Sequence, residues 1–580
     1  MDPDRVGWSH PLEFILSGIN YAVGLGNVWR FPYLVYRNGG GAFLVPYVIM
    51  LFTMGLPILF LESAIGQYTS QGPIFAFYRM SPIFQGTGFC SLVVIYIISI
   101  YYHVITAWTL FYMFHSFTSE LPWGSCDNVY NTPYCYNEEL NQECLDSSSD
   151  GKIRTYFNRT CVLAEDVCKK VNGKPYNSHK CLDSNNKKVP FRKILDQQLA
   201  SEEYYRDCAM GIKGADWEHW GEIRWQMVGY LFLSWVIAYF CLWKGVEQTG
   251  KVVYFTSLFP YVMLTALLIR GALLPGSVDG VKFFITPDWS RLLDIQVWGD
   301  AASQTFYAMG IACGSLVTLA SYNRFNNNCH SDALLMASTN LLTSLYAGFA
   351  VFSIIGFMAY TMHMEVDDVV DSGPGLAFIA YPEAVLRMPL PQLWSVLFFL
   401  MLYILGLGSQ FAGVETVSTS IIDVWPWLRP HKFAVTGAIC LSCFVLAIPM
   451  CFSGGVYLFT LVDWNTAYWA IFILGFMEVI EVSWVYGCNR FLGNIAEMDM
   501  KLSKFSLKYW WVAWMILAPL TLFYFLSSFE SLLFADDGKI FKQMDSPTDT
   551  IQLQSALDSL SDKQGHLTCY VTPWFTLQVF

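Results

Sequence analysis

One apolar segment near the start of the chain is interrupted in its middle by residues that weaken an α-helix. It runs Asn20-Tyr21-Ala22-Val23-Gly24-Leu25-Gly26-Asn27-Val28-Trp29-Arg30-Phe31-Pro32-Tyr33. A segment that crosses a bilayer must satisfy its backbone hydrogen bonds internally, so a continuous helix is expected there. Breaks of this kind are tolerated where the freed backbone lines a site for a substrate or an ion. The segment therefore favours a transport site inside a membrane protein.

The composition is typical of a membrane protein with many spans. Of 580 residues, 54% are hydrophobic and 14% are charged, whereas soluble proteins carry about 25% charged residues. The mean hydropathy is +0.39. The net charge of −12 is spread over the loops and does not indicate a nucleic-acid partner. The sequence contains no phosphate-binding loop, nucleophile elbow or zinc motif, and we expect that the protein is not an enzyme.

Apolar runs of about 20 residues predict membrane-spanning helices. Eleven are present, near residues 11–36, 41–66, 86–118, 224–243, 252–273, 297–322, 333–360, 391–424, 432–452, 455–487 and 509–534. Basic residues of the short loops, such as Arg79, Lys251 and Arg324, fall on the side of the N-terminus. This distribution predicts a cytoplasmic N-terminal segment over residues 1–10. The chain turns polar after the eleventh run, which predicts a C-terminal tail over residues 535–580.

A long polar loop over residues 119–223 is then predicted to face outward. It contains the sequon Asn158-Arg159-Thr160 and seven cysteines: Cys126, Cys135, Cys144, Cys161, Cys168, Cys181 and Cys208. A sequon within a cysteine-rich segment is typical of an oxidising, extracellular loop. We expect Asn158 to be glycosylated, with chance occurrence of the sequon as the alternative.

Spans one and six are the two most interrupted runs. Span six carries Gly310-Ile311-Ala312-Cys313-Gly314 at its middle. Two broken helices that are five spans apart indicate an inverted repeat of five plus five helices. The first repeat covers residues 11–273, the second covers 297–487, and span eleven at 509–534 follows.

The break in span one creates a helix N-terminus inside the segment. Its free N–H groups and positive dipole end suit a carboxylate, and Gly24 has no side chain to block the approach. The alternative is that Gly24 and Gly26 only permit close packing of helices.

Polar side chains inside spans are costly and indicate a functional site. Asn27, Gln304 and Asn340 are such amides, and hydrogen bonding between helices is the alternative for each. Two pairs of charged residues near the span ends are interpreted as gates: Arg30 with Asp463 on the outside, and Arg5 with Asp423 on the cytoplasmic side. Snorkelling of each side chain to the interface is the alternative.

Several long motifs resemble those of the neurotransmitter:sodium symporter family. They are Gly24-Leu25-Gly26-Asn27-Val28-Trp29-Arg30-Phe31-Pro32-Tyr33, Asn38-Gly39-Gly40-Gly41-Ala42-Phe43, Leu121-Pro122-Trp123-Gly124-Ser125-Cys126, Ala320-Ser321-Tyr322-Asn323-Arg324-Phe325-Asn326-Asn327-Asn328-Cys329 and Gly375-Leu376-Ala377-Phe378-Ile379-Ala380-Tyr381-Pro382-Glu383-Ala384. The resemblance runs from about Arg5 to Phe534. It implies an all-α polytopic protein of the plasma membrane with twelve helices, the first ten of which form the inverted repeat. Eleven spans are visible here, and the family's twelfth is missing from the pattern.

The resemblance also implies where a substrate binds. Gly24 stands where monoamine carriers have an aspartate, which favours a small zwitterionic substrate, as in the glycine and neutral amino acid branch. Tyr102 is similar to the family's tyrosine that caps the substrate carboxylate. The implied pocket residues are Tyr21, Gly24, Gly26, Tyr102, Tyr307, Gly310 and Ser409.

Ion sites carry over from the family with substitutions. The first sodium site corresponds to Ala22, Asn27 and Asn340, with Ala308 where the family has a hydroxyl. The chloride site corresponds to Tyr47, Gln304, Asn340 and Ser344. The second sodium site corresponds to Asn20, Val23, Leu405, Gly408 and Ser409.

The second sodium site departs from the family pattern at two positions. Asn20 stands where glycine is usual, and Gly408 stands where many chloride-dependent members have an aspartate. We therefore expect weaker or altered coupling to Na⁺ and Cl⁻.

The resemblance implies a disulfide between Cys126 and Cys135, which leaves five loop cysteines. We hypothesise that Cys569 of the tail bonds to this loop, and the alternative is that the tail is the aberrant end of a twelve-span protein.

The leading interpretation is a sodium-coupled, chloride-influenced transporter of a small amino acid. The alternative is a transport-deficient relative that acts as a ligand sensor or scaffold. Membrane lipid is expected as a partner, and an oligomer is left open.

Overall fold

The computed structural model describes residues 7–146, 153–177, 179–183, 188–243, 246–361, 365–366, 369 and 376–527. Met1–Leu522 form one compact unit, which contains both predicted repeats. Phe523–Phe580 form a second unit, of which only residues 523–527 are described. Cys569 and Arg5 both lie outside the described residues.

Nine helices of the described chain are long and apolar enough to cross a membrane. They are Gly41–Thr69, Pro82–His115, Trp225–Leu242, Gly250–Ala272, Cys329–Thr361, Pro391–Val424, Pro426–Cys451, Gly455–Glu497 and Lys504–Ser527. Each corresponds to one of the predicted spans, and the all-α polytopic architecture is confirmed. Spans one and six are absent from this set because neither is a continuous helix.

Span one consists of two helices joined by a distorted turn. The first helix, Pro11–Ala22, has proline at its first position, where the missing N–H is not needed. The chain leaves this helix at Val23, passes through a wide helical turn at Gly26–Arg30, and continues as the helix Phe31–Arg37. Pro32 lies in the first turn of that helix, where proline is tolerated.

Span six is interrupted between two glycines, Gly310 and Gly314. The helix Ile295–Met309 ends at Gly310, and the helix Ser315–Ala320 restarts after Gly314. Gly310 and Gly314 have φ angles of +59° and +71°, a left-handed conformation that glycine adopts at little cost. Ala312 between them also has a positive φ of +62°. Such a conformation is strained for a residue with a side chain, so the surrounding packing must impose it.

A buried carboxylate holds the break of span six in place. Glu62 of the helix Leu56–Thr69 accepts the backbone N–H groups of Ala312 at 3.2 Å and Gly314 at 3.3 Å. Glu62 is fully buried. The two N–H groups would otherwise lack a partner in an apolar interior.

Shorter helical segments and strands complete the described structure. The helical segments are Pro73–Met80, Pro122–Gly124, Glu138–Asp146, Ala164–Lys169, Phe191–Leu195, Ala200–Glu203, Tyr204–Met210, Ser277–Ile285, Trp289–Leu293 and Leu376–Leu386. The strands are Cys135–Tyr136, Arg154–Phe157, Thr160–Leu163, Lys174–Pro175, Lys180–Leu182, Lys188–Pro190 and Gln198–Leu199. All seven strands lie in the predicted extracellular loop.

The predicted extracellular loop is a small disulfide-linked layer. Its disulfides are Cys126–Cys135, Cys144–Cys161 and Cys168–Cys181. The first is the pair that the resemblance implied, and the other two account for four of the five remaining cysteines. Cys208 is a thiol in the described part of the chain, and burial raises the pKa of this thiol. The predicted bond to Cys569 stays a prediction.

The sequon lies at the tip of a hairpin in this loop. Arg154–Phe157 pairs antiparallel with Thr160–Leu163, and Asn158 and Arg159 form the turn with φ angles of 49° and 59°. Asn158 is exposed. An exposed hairpin turn leaves room for a glycan, so the structure is compatible with the predicted glycosylation.

Replacing both Cys144 and Cys161 with serine is expected to destabilise this loop. The disulfide closes a loop with a sequence separation of 17 residues, for which the chain-entropy model gives about 3 kcal/mol. The purified variant should therefore melt at a lower temperature than the wild type, as measured by thermal denaturation. Cys208→Ser is the matched control, and an equal loss of stability in that control would contradict the expectation.

Candidate functional site

Spans one, three, six and eight enclose a cavity at the two breaks. Its walls come mainly from these four spans, with one residue from span ten, and comprise Tyr21, Gly24, Gly26, Ile95, Ile98, Ser99, Tyr102, Phe306, Tyr307, Ala308, Gly310, Cys313, Ser409, Gln410, Gly413 and Ile471. All seven residues predicted to contact the substrate lie in this wall. The sequence places them up to 388 positions apart, and only the packing of the spans brings them together.

The break of span one presents backbone N–H groups to the cavity. The Leu25 N–H donates to the Tyr102 hydroxyl at 3.3 Å, and the Gly24 N–H donates to Asn27 Oδ1 at 3.2 Å. A Cβ atom on Gly24 would lie 2.4 Å from Ser409 Oγ and 3.1 Å from the Tyr102 hydroxyl. Glycine at position 24 is therefore required by the close approach of spans three and eight.

The two breaks are joined across the cavity by a tyrosine. The Tyr21 hydroxyl donates to the Gly310 carbonyl at 2.8 Å. A Cβ atom on Gly310 would lie 2.3 Å from the Tyr21 ring. On the other side, the Tyr307 ring lies 3.1 Å from the position of a Cβ on Gly26. These tight contacts between spans one and six narrow the cavity to a size that suits a small ligand.

Arg30 takes a different partner from the one that the sequence predicts. Its Nη2 donates to Ser303 Oγ at 3.1 Å, and its guanidinium carbon lies 4.4 Å from the centroid of the Tyr307 ring. Among the ion pairs of the described residues, none joins Arg30 to Asp463, although Arg30 is buried, Asp463 is half-buried and Asp463 Oδ1 has no hydrogen-bond partner. The described structure therefore has no direct ion pair between Arg30 and Asp463, and their role as an outer gate stays a prediction.

On the predicted cytoplasmic side, the start of the described chain is tied to the end of span six. The Trp8 indole N–H donates to the Leu319 carbonyl at 3.0 Å, and the Trp8 backbone N–H donates to the Tyr322 carbonyl at 3.2 Å. The Tyr322 hydroxyl donates in turn to Glu415 at 2.8 Å. Asp423, the predicted gate partner of Arg5, accepts the Gly72 N–H at 2.9 Å. The predicted pair itself involves a residue outside the described chain.

Trp8→Ala is expected to open the cavity on its predicted cytoplasmic side. The substitution removes a buried indole and its hydrogen bond, and loss of a buried tryptophan costs about 3–5 kcal/mol. The native Cys313 thiol, which lines the cavity, should then react faster with an impermeant thiol reagent applied from the cytoplasmic face. Mass spectrometry of the Cys313 peptide measures the rate. The exposed Trp425→Ala serves as control, and an unchanged rate in Trp8→Ala would refute the role of Trp8.

The predicted first sodium site brings two buried amides together. Asn27 Nδ2 lies 2.5 Å from Asn340 Oδ1 and 2.8 Å from Ser344 Oγ. Ala22 is the last residue of its helix, where carbonyl groups lack intrahelical donors. Amide and carbonyl oxygens are hard ligands that suit Na⁺. Ala308 contributes only a methyl group to this region, so the oxygen set is one member short of the family pattern.

The residues predicted to hold chloride offer hydrogen-bond donors. The Tyr47 hydroxyl lies 3.3 Å from Ser344 Oγ, and Asn340 Nδ2 is buried without a hydrogen-bond partner in the described structure. Gln304 Nε2 donates to the Gly26 carbonyl at 2.9 Å and so supports the break of span one. Two hydroxyls and one unpaired amide N–H fit an anion.

The predicted second sodium site lies where span one faces span eight. Ser409 Oγ donates to the Tyr21 carbonyl at 3.4 Å, and Val23 is the cap residue at the end of Pro11–Ala22. Leu405 is buried on the same helix as Gly408 and Ser409. The Asn20 side chain lies directly over Gly408. The site therefore offers backbone carbonyls, one hydroxyl and one amide oxygen, which fit a monovalent hard cation.

Sequence reasoning missed the role of Glu62 and of Trp8. Glu62 lies within the predicted span 41–66, and an ionisable residue inside an apolar run could have indicated a functional role. Trp8 carries no comparable signal, because its partners Leu319 and Tyr322 lie more than 300 positions away.

Known proteins similar to this chain are membrane transporters. The family model of the "Sodium:neurotransmitter symporter family" matches residues 5–165 and 153–537. The glycine transporter 2 of Xenopus laevis is 43% identical over 525 residues, which are 90% of this chain and 64% of that protein. The human creatine transporter 1 is 41% identical over 500 residues, 86% of this chain and 73% of that protein. The GABA transporter 2 of Rattus norvegicus is 41% identical over 513 residues, 88% of this chain and 78% of that protein.

A solved structure also matches the fold. The crystal structure of MhsT in complex with L-phenylalanine aligns with a TM-score of 0.67 at 20% identity, covering 90% of this chain and 99% of that one. The family match spans both repeats and the broken helices that line the cavity. The chain is a multi-pass membrane protein that belongs to the sodium:neurotransmitter symporter family.

Proposed function

We propose that the protein is a sodium-coupled transporter of a small zwitterionic amino acid or related compound, located in the plasma membrane with a cytoplasmic N-terminus. The observation that carries the proposal is the cavity at the two breaks, whose wall contains all seven predicted substrate residues. Relatives over most of the chain are named as glycine, creatine and GABA transporters, and each of these substrates combines a carboxylate with a basic or amino group.

The break of span one supplies the carboxylate subsite. The Leu25 N–H and the Tyr102 hydroxyl lie 3.3 Å apart at the start of the second half-helix, where the helix dipole favours an anion. No aspartate occupies position 24, so the subsite keeps its positive character. The Tyr21 and Tyr307 rings restrict the length of the bound compound.

Ion binding and substrate binding are coupled in this proposal because they share span one. Asn27 connects the Gly24 N–H at the cavity with Asn340 and Ser344 at the first ion site. Na⁺ bound by the amide oxygens of Asn27 and Asn340 would place a positive charge beside the substrate carboxylate. Chloride would be held by Tyr47, Ser344 and Asn340, balancing the sodium charge in the absence of a carboxylate at position 344. Ligand binding shifts the population between outward- and inward-open states, and no covalent step is needed.

A panel uptake assay tests the proposal. Cells that display the protein, as verified by surface biotinylation, receive labelled glycine, alanine, proline, leucine, GABA, betaine, taurine or creatine. Each uptake is repeated with Na⁺ replaced by choline and with Cl⁻ replaced by gluconate. Sodium-dependent uptake of one compound supports the proposal. Uptake that persists fully in choline would contradict sodium coupling.

A transport-deficient sensor or scaffold is the second candidate function. Ala308 has no hydroxyl to offer the predicted first sodium site, and Gly408 has no carboxylate to offer the second. Ligand-induced thermal stabilisation of the purified protein without uptake at the cell surface would favour this second function.

A further inference from the structure

The side chain of Asn20 occupies the space that a side chain at position 408 would fill. An ideal Cβ on Gly408 would lie 2.3 Å from Asn20 Oδ1 and 2.5 Å from both Asn20 Cγ and Nδ2. Real Cβ atoms essentially never approach other atoms so closely. A side chain at position 408 of the helix Pro391–Val424 would therefore have to displace the Asn20 amide, and glycine leaves room for it.

A threonine fixes the orientation of the Asn20 amide. Asn20 Nδ2 donates to Thr256 Oγ1 at 3.1 Å, while the Thr256 hydroxyl has only the carbonyl groups of Val252 and Val253 as its own acceptors, at 3.4 Å. The threonine oxygen thus accepts from the amide nitrogen. This arrangement uses the amide nitrogen and leaves Asn20 Oδ1 available as an acceptor.

Asn20 Oδ1 is a buried acceptor that lacks a donor in the described structure. Asn20 is 2% exposed, and its Oδ1 has no hydrogen-bond partner. Leaving a buried polar atom unpaired is unfavourable. Asn20 lies in the last turn of Pro11–Ala22, where the last carbonyl groups lack intrahelical donors and the helix dipole is negative. An unpaired buried oxygen at the negative end of a helix is an environment for a cation.

We propose that Asn20 Oδ1 is a sodium ligand of the second site, so that span one supplies a side-chain oxygen that Gly408 of span eight cannot supply. The side-chain oxygen then comes from position 20, and glycine at position 408 leaves room for it. Thr256 is a positioning residue that orients the Asn20 amide. This inference rests on the proposed sodium coupling. Because the amide is neutral, the site holds Na⁺ without a formal negative charge from position 408.

Sodium titration of the purified full-length protein tests the pair without measuring transport. The melting temperature is followed as NaCl replaces choline chloride at constant ionic strength, and the half-saturating Na⁺ concentration is the readout. Asn20→Leu removes the oxygen at similar size, and it should raise this concentration at least tenfold. Asn20→Asp keeps the oxygen and adds charge, and it should retain or lower the value. Thr256→Val should raise it severalfold, with rescue by Thr256→Ser.

Position 408 is tested in the same assay. Gly408→Ala alone should weaken the response to Na⁺, whereas Gly229→Ala, where no atom lies within 4 Å of the added Cβ, should leave it unchanged. The double variant Asn20→Gly/Gly408→Asp moves the oxygen to span eight and should bring the value back to within about threefold of the wild type. Should Gly408→Ala fail to fold, the double variant and Asn20→Asp still report on the pair.

Two outcomes overturn the inference in distinguishable ways. An unchanged or lower half-saturating Na⁺ concentration in Asn20→Leu would show that the amide is no ligand, while the sodium response of the wild type would leave the proposed function standing. A wild type and a double variant that both ignore Na⁺ would remove the proposed sodium coupling and this inference with it.

Discussion

Glu62→Ala is expected to abolish uptake and to lower the stability of the protein. The carboxylate accepts two backbone N–H groups at the break of span six, at 3.2 and 3.3 Å, from a fully buried position. Each buried N–H left without a partner costs about 1–3 kcal/mol, so the expected loss is about 2–6 kcal/mol in the free energy of unfolding. The break that the two N–H groups stabilise also forms the wall of the cavity.

Thermal denaturation and surface expression measure this effect. Glu62→Gln keeps an acceptor oxygen for one of the two N–H groups and should give an intermediate melting temperature. Glu165→Ala, which changes an exposed glutamate of the predicted extracellular loop, is the matched control. Normal stability and normal uptake in Glu62→Ala would show that the break does not depend on this carboxylate.

Gly24→Ala is expected to reduce substrate uptake strongly while leaving the protein folded. The new methyl group would lie 2.4 Å from Ser409 Oγ, and relief of this clash must displace the carboxylate subsite. Overpacking of this kind costs about 1–3 kcal/mol, which corresponds to roughly 5- to 150-fold in apparent affinity.

The clash itself can be tested by a compensating change. Ser409→Ala removes the oxygen that the new methyl group meets, so Gly24→Ala should reduce uptake less in the Ser409→Ala background than in the wild type. Uptake kinetics are normalised to surface biotinylation, and Gly229→Ala is the control for adding a methyl group to a helical glycine in open space. The fraction of wild-type uptake that each variant retains is compared. A double variant that retains less than the product of the fractions retained by the two single variants would contradict direct contact between the methyl group and Ser409 Oγ.

The broken spans and the cavity wall were predictable because their causes are local. Gly24, Gly310 and Gly314 weaken a helix wherever they stand, and a break inside a membrane span indicates a binding site. The motifs around these glycines resemble those of the symporter family, and this resemblance implied the pocket residues. The structure places all seven of these residues around one cavity.

The partners of individual polar side chains were not predictable in the same way. Arg30 has both Asp463 and the aromatic wall within its surroundings, and the structure pairs it with Ser303 and Tyr307. The disulfides beyond Cys126–Cys135 are a comparable case, since the loop sequence permits several pairings.

The sequence by itself determined the membrane class, the two helix breaks and the family, because hydropathy, glycine and proline act within a few residues of their own position. The tertiary structure alone decided that Glu62 bridges to Ala312 across 250 positions and that Asn20 lies over Gly408. Such contacts depend on how whole helices pack. A shift of about 1.5 Å, the rise of one helical residue, is enough to replace one partner by another.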